Sequence, residues 1–250
     1  MILERKPTLF DLMRLRGRTG IIALAAGIGF LAGGFFVNNA GFPIWGGTLM
    51  FLGAIAVPVA LKFHDDLKIW GIAACVLSVL LLLQAFHATE HTVQLVQYYL
   101  LNNPSILSQG LISSLNVEIV HFTWNWINWA CVVYHFRSGM RKIWGYPLLL
   151  WITMHCLEHT YMLLHYFHVV GEMSRLGLNQ SDLTAVQTLP SILGKDGWLA
   201  SNLAFCRAIP GLTTLPRVAI HAYWNLGELV FLFLAARESL PKLVAKQRLR

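Results

Sequence analysis

The chain has 250 residues, of which 56% are hydrophobic and only 12% are charged. An average soluble domain carries about 25% charged residues, so this composition excludes an ordinary soluble domain and indicates an integral membrane protein. The formal net charge of +7 does not predict a nucleic-acid partner, because the basic residues flank apolar segments instead of forming a basic surface.

Apolar stretches of about 20 residues predict the membrane-spanning helices. We expect an all-α integral membrane protein with six transmembrane helices, at residues 21–37, 42–63, 69–101, 115–136, 144–170 and 218–236. The first helix carries Ala25, Gly29 and Gly33 at four-residue spacing, which lets a neighbouring helix approach closely. The second contains Pro58, which membrane helices tolerate. Both are predicted to be scaffold.

The distribution of basic residues predicts the orientation of the chain. With six spans both termini lie on one side of the membrane, and that side collects all but four of the 19 Lys and Arg residues, the exceptions being Arg175, Lys195, Arg207 and Arg217. Because cytoplasmic loops are enriched in Lys and Arg, the sequence predicts a multi-pass protein with both termini cytoplasmic.

These spans divide the chain into five parts. We expect a basic cytoplasmic N-terminus over residues 1–20, two scaffold helices over 21–68 and a first histidine-rich helix hairpin over 69–138. A second histidine-rich hairpin follows over 144–239 and includes a long external loop at 171–217, and a basic cytoplasmic tail occupies 240–250.

The third and fifth predicted helices carry the same short motif, HxxEHT. It occurs as His87, Glu90 and His91 in the third helix, and as His155, Glu158 and His159 in the fifth. On a helix, positions i, i+3 and i+4 lie on one face. Each motif therefore predicts a metal-binding face with two imidazoles and a carboxylate.

A second motif, HxxWN, follows each copy of the first. It runs from His121 to Asn125 in the fourth helix and from His221 to Asn225 in the sixth. The repeated unit is thus a HxxEHT helix, an external loop and a returning HxxWN helix. Because the third and fifth helices run in the same direction, the copies are related by an axis along the membrane normal. The third to sixth helices are predicted to form a pseudo-two-fold four-helix bundle.

Each of these four helices also carries one glutamate: Glu90, Glu118, Glu158 and Glu228. A carboxylate at bilayer depth costs several kcal/mol unless it has a partner. No Lys or Arg lies well inside a predicted span, so we expect a bound metal ion to compensate these charges. Glu118 precedes His121 by three residues, as in the ExxH motif of di-iron bundles.

The predicted ligand set therefore combines imidazoles and carboxylates that meet in one layer, between the bilayer midplane and the outer surface. Its members are His87, Glu90, His91, Glu118, His121, His155, Glu158, His159 and His221. Glu90 and Glu158 are also the catalytic candidates, as bridging ligands or proton-transfer groups. Asn125, Asn225 and Glu228 are expected to support the ligands through hydrogen bonds, with direct ligation open for Glu228. His64 and His135 lie near the cytoplasmic ends of their helices, outside this set.

Nitrogen and oxygen ligands suit iron, so two iron ions are favoured, with zinc or copper as alternatives. The sequence predicts a membrane oxidoreductase with a dinuclear non-haem centre. Its partner is a membrane lipid or other apolar small molecule in the outer half of the bilayer, and other membrane proteins are candidate partners.

Two further functions fit the same motifs. HxxEH also matches the inverted zinc-protease motif, which indicates a zinc-dependent membrane hydrolase. Histidines from facing helices could instead ligate haem or a pigment in a non-enzymatic subunit of a larger membrane complex. A purely structural role, with interfacial histidines hydrogen-bonded to glutamates, is the simplest alternative. One shared dinuclear site and two separate mononuclear sites both remain compatible with the spacing.

Overall fold

The computed structural model describes residues 8–112, 117–178, 190–206 and 209–248. All regular elements in these ranges are helical, which confirms the predicted all-α class. The helices are α1 (Leu9–Met13), α2 (Thr19–Asn39), α3 (Ile44–Trp70), α4 (Ile72–Tyr99), α5 (Glu118–Ser138), α6 (Gly145–Arg175), α7 (Trp198–Asn202) and α8 (Arg217–Arg248). Short 3₁₀ turns lie at Ser105–Leu107 and Ala204–Cys206.

The six predicted apolar segments correspond in order to α2, α3, α4, α5, α6 and α8. The predicted start of the fourth segment, at 115–116, lies outside the described residues, as do 179–189 and 207–208 of the long loop. Helix α8 runs twelve residues past its predicted end, to Arg248, and Leu240, Leu243 and Val244 are buried. The predicted basic tail therefore continues the helix as far as Arg248 and packs through these apolar residues.

Within the described ranges, four helices are long and apolar enough to cross a membrane, namely α2, α3, α4 and α8. This supports a membrane protein. Helices α5 and α6 have 21 and 31 residues, but they carry histidine, glutamate, asparagine and threonine side chains at every second turn or closer. These polar residues lower the hydropathy of both helices, and they include half of the predicted site.

The chain divides into two compact units, and the divisions fall inside helices. Unit 1 comprises Met1–Ala85, Cys131–Leu149 and Leu229–Arg250, and unit 2 comprises Phe86–Ala130 and Leu150–Glu228. In unit 1, α2 packs on α3 through small residues. A Cβ on Gly33 would lie 2.6 Å from the Gly47 carbonyl oxygen, and one on Gly29 would lie 2.8 Å from Ala54 Cβ. The prediction that α2 is a close-packing helix is confirmed.

Unit 1 also contains a buried ion-pair network. The Asp66 carboxylate accepts hydrogen bonds from Arg16 Nε at 3.0 Å and from Ser78 Oγ at 3.1 Å, and it lies 2.5 Å from Lys62 Nζ. Beside it, Arg18 Nη2 lies 2.6 Å from Asp65 Oδ2. These basic residues, predicted only as signals of orientation, thus also neutralise a buried carboxylate.

Unit 2 holds all twelve of the residues predicted for the functional site. Tryptophans join its helices through hydrogen bonds. Trp126 Nε1 donates to Thr160 Oγ1 at 3.2 Å, which ties α5 to α6. Trp151 Nε1 donates to the Trp224 carbonyl oxygen at 2.9 Å, which ties α6 to α8. Gly227 permits this second contact, because a Cβ at that position would overlap the Trp151 indole.

Candidate metal centre

Four helices of unit 2 bring six histidines into one continuous cluster. Five of these imidazole-bearing residues are at most 8% exposed, and only His87 is partly exposed. Each ring contacts at least one other ring of the cluster at a centroid distance of 4.7 to 6.2 Å. The members are His87 and His91 on α4, His121 on α5, His155 and His159 on α6, and His221 on α8.

One group of three within the cluster has the spacing of a metal site. His87, His91 and His121 each offer a ring nitrogen, and these nitrogens lie within 4.8 Å of one another. Metal–imidazole bonds of about 2.0–2.1 Å place the nitrogens around one ion up to about 4 Å apart. Small side-chain rotations would therefore let the three bind a single ion.

The second group consists of His155, His159 and His221. The ring centroids of His155 and His159 lie 4.9 Å apart, and those of His159 and His221 lie 5.1 Å apart. The two groups are in contact, because the ring centroids of His91 and His221 lie 5.6 Å apart and those of His121 and His159 lie 5.5 Å apart.

Three of the imidazoles have one nitrogen fixed by a hydrogen-bond acceptor. His91 Nδ1 lies 2.8 Å from Gln94 Oε1, and His121 Nδ1 lies 3.1 Å from the Val117 carbonyl oxygen. His155 Nδ1 lies 3.0 Å from Glu228 Oε2. Because carbonyl and carboxylate oxygens only accept, Nδ1 carries the proton in this arrangement and the lone pair resides on Nε2. Ligating histidines in metal sites are oriented in this way.

Several ring nitrogens of the cluster have no partner in the described structure. The Nε2 atoms of His87, His91, His155 and His221 are buried and make no hydrogen bond, and neither does His159 Nδ1. A buried polar atom without a partner costs about 1–3 kcal/mol, and several occur together here. A metal ion with imidazole ligands fits this donor set, since it would bind these lone pairs directly.

The two glutamates of the HxxEHT motifs contact loops. Glu90 Oε1 accepts a hydrogen bond from the Ile112 backbone N–H at 2.8 Å, in the loop that follows α4. Glu158 lies near the Ser191 hydroxyl and the Leu193 backbone, in the loop that follows α6, but both of its carboxylate oxygens are buried without a hydrogen bond. The equivalent glutamates of the two motifs thus each lie near the loop that follows their own helix.

Glu118 lies between a cation and the cluster. Its Oε1 forms an ion pair with Arg217, and its Oε2 is buried without a hydrogen bond, 3.8 Å from His159 Nδ1. The expectation that no organic cation reaches the glutamates is therefore wrong for Glu118. The reason is that Arg217, the first residue of α8, lies beside Glu118, the first residue of α5. Glu228 contacts His155, which supports the ligand-orienting role that was one of its two predicted alternatives.

Asn125 and Asn225 occupy equivalent positions. Each donates through Nδ2 to the carbonyl oxygen four residues earlier, of His121 and His221 respectively, at 2.9 Å. Both side chains are fully buried. Each asparagine side chain is therefore hydrogen-bonded to the backbone of its histidine, one helical turn earlier.

Two residues of the site were not predicted from the sequence. Gln94 follows His91 by three positions, and Arg217 precedes His221 by four. These are same-face spacings that the histidine motifs alone did not include. His135, excluded in the prediction, is buried in unit 1 and lies outside the cluster.

Comparisons with protein-family models, with curated protein sequences and with solved structures find no match to this chain. The function is therefore inferred from the geometry of the six-histidine cluster alone.

Proposed function

We propose that this protein is a multi-pass membrane oxidoreductase whose six-histidine cluster binds two metal ions. One observation carries the proposal. Three imidazoles are fixed through Nδ1 by Gln94, Val117 and Glu228, while Nε2 atoms in both histidine groups are buried without a partner. A purely structural cluster would use those nitrogens in hydrogen bonds, because buried polar groups are nearly always paired.

The proposed centre is one shared site in a pseudo-two-fold bundle. The sequence repeat exchanges His91 with His159 and His121 with His221. Under this exchange the His91–His221 contact of 5.6 Å becomes the His159–His121 contact of 5.5 Å. The His121–His221 pair, at 6.2 Å, exchanges with itself and lies on the proposed axis. Contacts across the two halves favour a dinuclear centre over two separate sites.

The proposed topology has six spans with both termini cytoplasmic. The four apolar helices support it directly, and α5 and α6 are long enough to cross a bilayer core of about 30 Å at 1.5 Å per residue. The excess of Lys and Arg on the terminal side supports the orientation. The connections that contact Glu90 and Glu158 would then lie on the outer side.

Two irons remain our proposed metals. Six imidazoles form a nitrogen-rich set, and Glu90, Glu118 and Glu158 add carboxylate oxygens that are buried without a hydrogen bond; such a set suits iron. It also suits copper, which binds imidazole more tightly. Either pair of ions would supply the capacity to exchange electrons and activate oxygen. The residues of the chain would hold the ions, exclude water and orient the imidazoles.

The proposed substrate is an apolar or lipid-like molecule. His87 is the least buried member of the cluster, and its ring lies 5.9 Å from the ring of Trp124. This partly exposed edge, where an imidazole and an indole lie side by side, is the proposed approach to the centre. A lipid-like molecule in the membrane could reach the ions along this edge.

The alternatives are less well supported by the contacts. A zinc hydrolase needs Glu90 or Glu158 beside a metal-bound water. Glu90 Oε1 is occupied by the Ile112 N–H and Glu158 lies near Ser191, which leaves Glu90 Oε2 and the two buried, unpaired Glu158 oxygens for that role. A haem or pigment needs a flat slot between its ligands, and here neighbouring imidazoles from four helices occupy the space around each ring.

Metal analysis of the purified protein, combined with an optical spectrum, tests the proposal. We expect about two irons or two coppers per chain and no Soret band. Zinc alone would instead support the hydrolase, and a Soret or pigment spectrum would support the cofactor-binding subunit.

Variants locate the site. We expect His91→Ala and His159→Ala each to lower the metal content at least about tenfold, whereas His64→Ala, at an exposed histidine of α3, leaves it unchanged. Equal metal content in all three variants would show that the cluster is not the site.

A further inference from the structure

A continuous line of aromatic rings leads from the histidine cluster to an exposed face of α8. The indole of Trp224 stacks on the imidazole of His155, with the ring centroids 5.5 Å apart and the ring planes at 9°. Trp224 also contacts Trp151 at a centroid distance of 4.8 Å, and Trp151 contacts Tyr223 at 5.2 Å. All four residues belong to unit 2. Ring-to-ring contacts thus connect a proposed metal ligand with the ring of Tyr223.

The two ends of this line differ in exposure. At the inner end, His155 is 0% exposed and Trp224 is 8% exposed. At the outer end, Tyr223 is 54% exposed. Leu226 and Val230 share its side of α8 by helical spacing and are exposed as well. Because α8 is long and apolar enough to cross a membrane, Tyr223 lies on the face of α8 that lipid would cover.

The sequence repeat indicates that packing of the bundle does not require this line. The two halves are compared in the register that aligns their histidine motifs. Three residues of the second half differ together from their counterparts in the first half, in the pairs Trp151 and Leu83, Tyr223 and Thr123, and Gly227 and Ile127. Gly227 makes room for Trp151, because a Cβ on Gly227 would overlap the indole. The glycine that admits the indole therefore occurs in the same half as the two additional oxidisable rings.

Tryptophan and tyrosine are the aromatic side chains that lose a single electron most readily, whereas phenylalanine resists oxidation. An electron passes readily between aromatic rings in contact, because the gap between their π-systems is short. Trp224 is the ring that lies against His155, so it is the first that an oxidised metal centre would oxidise. Trp151 and then Tyr223 can replace the lost electron.

We infer that Trp224, Trp151 and Tyr223 form an electron relay to the metal centre from a lipid-soluble reductant of the hydroquinone class. This inference rests on the proposed function, since the centre is the oxidant. Trp224 gives one electron to the oxidised centre, Trp151 replaces that electron, and Tyr223 replaces the electron of Trp151. Tyr223 releases its phenolic proton to interfacial water. A hydrogen atom from one hydroquinone O–H then restores the phenol, so the net transfer is one electron to the centre and one proton to water.

Freeze-quench electron paramagnetic resonance detects the outer end of the relay. The metal-loaded resting protein in lipid nanodiscs is mixed with an equimolar amount of hydrogen peroxide, which takes two electrons and two protons and becomes two water molecules. We expect a tyrosyl radical that is lost in Tyr223→Phe. The control Tyr146→Phe, at a similarly exposed tyrosine that contacts Phe136, should retain it. A signal that Tyr223→Phe leaves unchanged, or that both variants lose, would overturn the inference.

A second pair of variants tests the middle of the relay. Trp151→Phe loses an indole hydrogen bond to the Trp224 carbonyl oxygen at 2.9 Å, and the control Trp129→Phe loses one to Thr153 Oγ1 at 3.0 Å. Per bound metal ion, Trp151→Phe should lose the tyrosyl signal and keep a tryptophanyl signal, whereas Trp129→Phe should match the unmodified protein. An undiminished tyrosyl signal in Trp151→Phe contradicts the relay. If Trp151→Phe does not fold, the variants of the exposed tyrosines decide.

Reduction from the lipid phase tests the class of donor. After the same addition of peroxide, durohydroquinone in the nanodisc lipid should return the optical spectrum of the centre to that of the resting protein. Tyr223→Phe and Trp151→Phe should slow this return, and Trp129→Phe should not. Equal rates in all three variants would overturn the inference. A protein without metal refutes the proposed function and, with its oxidant, the relay, whereas a metal-loaded protein without a tyrosyl radical refutes the relay alone.

Discussion

Replacement of Glu228 gives the sharpest test of the proposal that the cluster binds metal. Glu228 and His155 are 2% and 0% exposed and lie 3.0 Å apart through Oε2 and Nδ1. Removing a partner that orients a ligating histidine typically weakens metal binding 10- to 100-fold. Because this pair is buried and one partner is a carboxylate, we expect Glu228→Leu to reach the upper value, about 100-fold or about 2.8 kcal/mol. Glu228→Gln keeps a neutral acceptor, so we expect a loss of about tenfold.

The measurement is a competition titration of the purified protein in lipid nanodiscs against a chelator of known affinity. The matched control is Glu172→Gln on α6, an exposed glutamate that pairs with Arg175 at 2.7 Å. Thermal unfolding of each metal-free variant verifies that the fold is retained. We expect the control to bind metal as the unmodified protein does.

The double variant separates orientation from direct ligation. If Glu228 acts only through His155, then His155→Ala with Glu228→Leu binds metal no more weakly than His155→Ala alone, because interacting groups are not additive. Additive losses would show that Glu228 binds the metal itself. Unchanged metal affinity in both His155→Ala and Glu228→Leu would refute the assignment of His155 as a ligand.

Two further predictions concern stability and use glycines. Gly110 has φ +77°, and a Cβ at this position would overlap the Glu90 carboxylate, so Gly110→Ala should lower the free energy of unfolding by about 2–4 kcal/mol. The control Gly177→Ala, with φ +70° and nothing within 4 Å, should lower it by only about 1–2 kcal/mol. Equal losses of the two variants in detergent unfolding would exclude the contact with Glu90. Gly33→Val should lower the free energy of unfolding by about 1–3 kcal/mol, because the larger side chain separates α2 from α3. The control Gly34→Val, with nothing within 4 Å, should leave it nearly unchanged. An equal loss in the two variants would contradict the packing described for α2.

The histidine cluster could be predicted from the sequence because its members obey helical spacing. His87 and His91 are four residues apart, and the same holds for His155 and His159, so helix geometry alone places each pair on one face. The returning motifs at His121 and His221 completed the set. The period of the helix, the repeat and the alternating direction of the apolar spans were sufficient.

The contacts of the glutamates could not be predicted in the same way. Glu90 and His91 are consecutive, and consecutive residues on a helix point about 100° apart. Spacing therefore cannot place both side chains at one point, and the loop that passes over α4 decides where Glu90 finds its partner. That loop reaches Glu90 from 22 positions along the chain, through Ile112.

Arg217 was missed for a related reason. Hydropathy treats it as the flank of a span, whereas its pairing partner, Glu118, lies 99 residues earlier. Only the packing of α5 beside α8 brings the two together. The i, i+4 spacing of Arg217 and His221 is present in the sequence, but it indicates a role for Arg217 only once Glu118 is known to lie opposite.

The α2–α3 hairpin has a consequence for biosynthesis. It is closed near its turn by Gly33 against Gly47 and at its open end by Arg16 and Arg18 against Asp66 and Asp65. All of these contacts are available once residue 70 has left the ribosome. The last of the proposed ligands, His221, is synthesised roughly 8 to 30 s later at about 5–20 residues per second. During that interval the hairpin can already form as a unit, whereas the proposed two-metal centre can be completed only when synthesis is nearly finished.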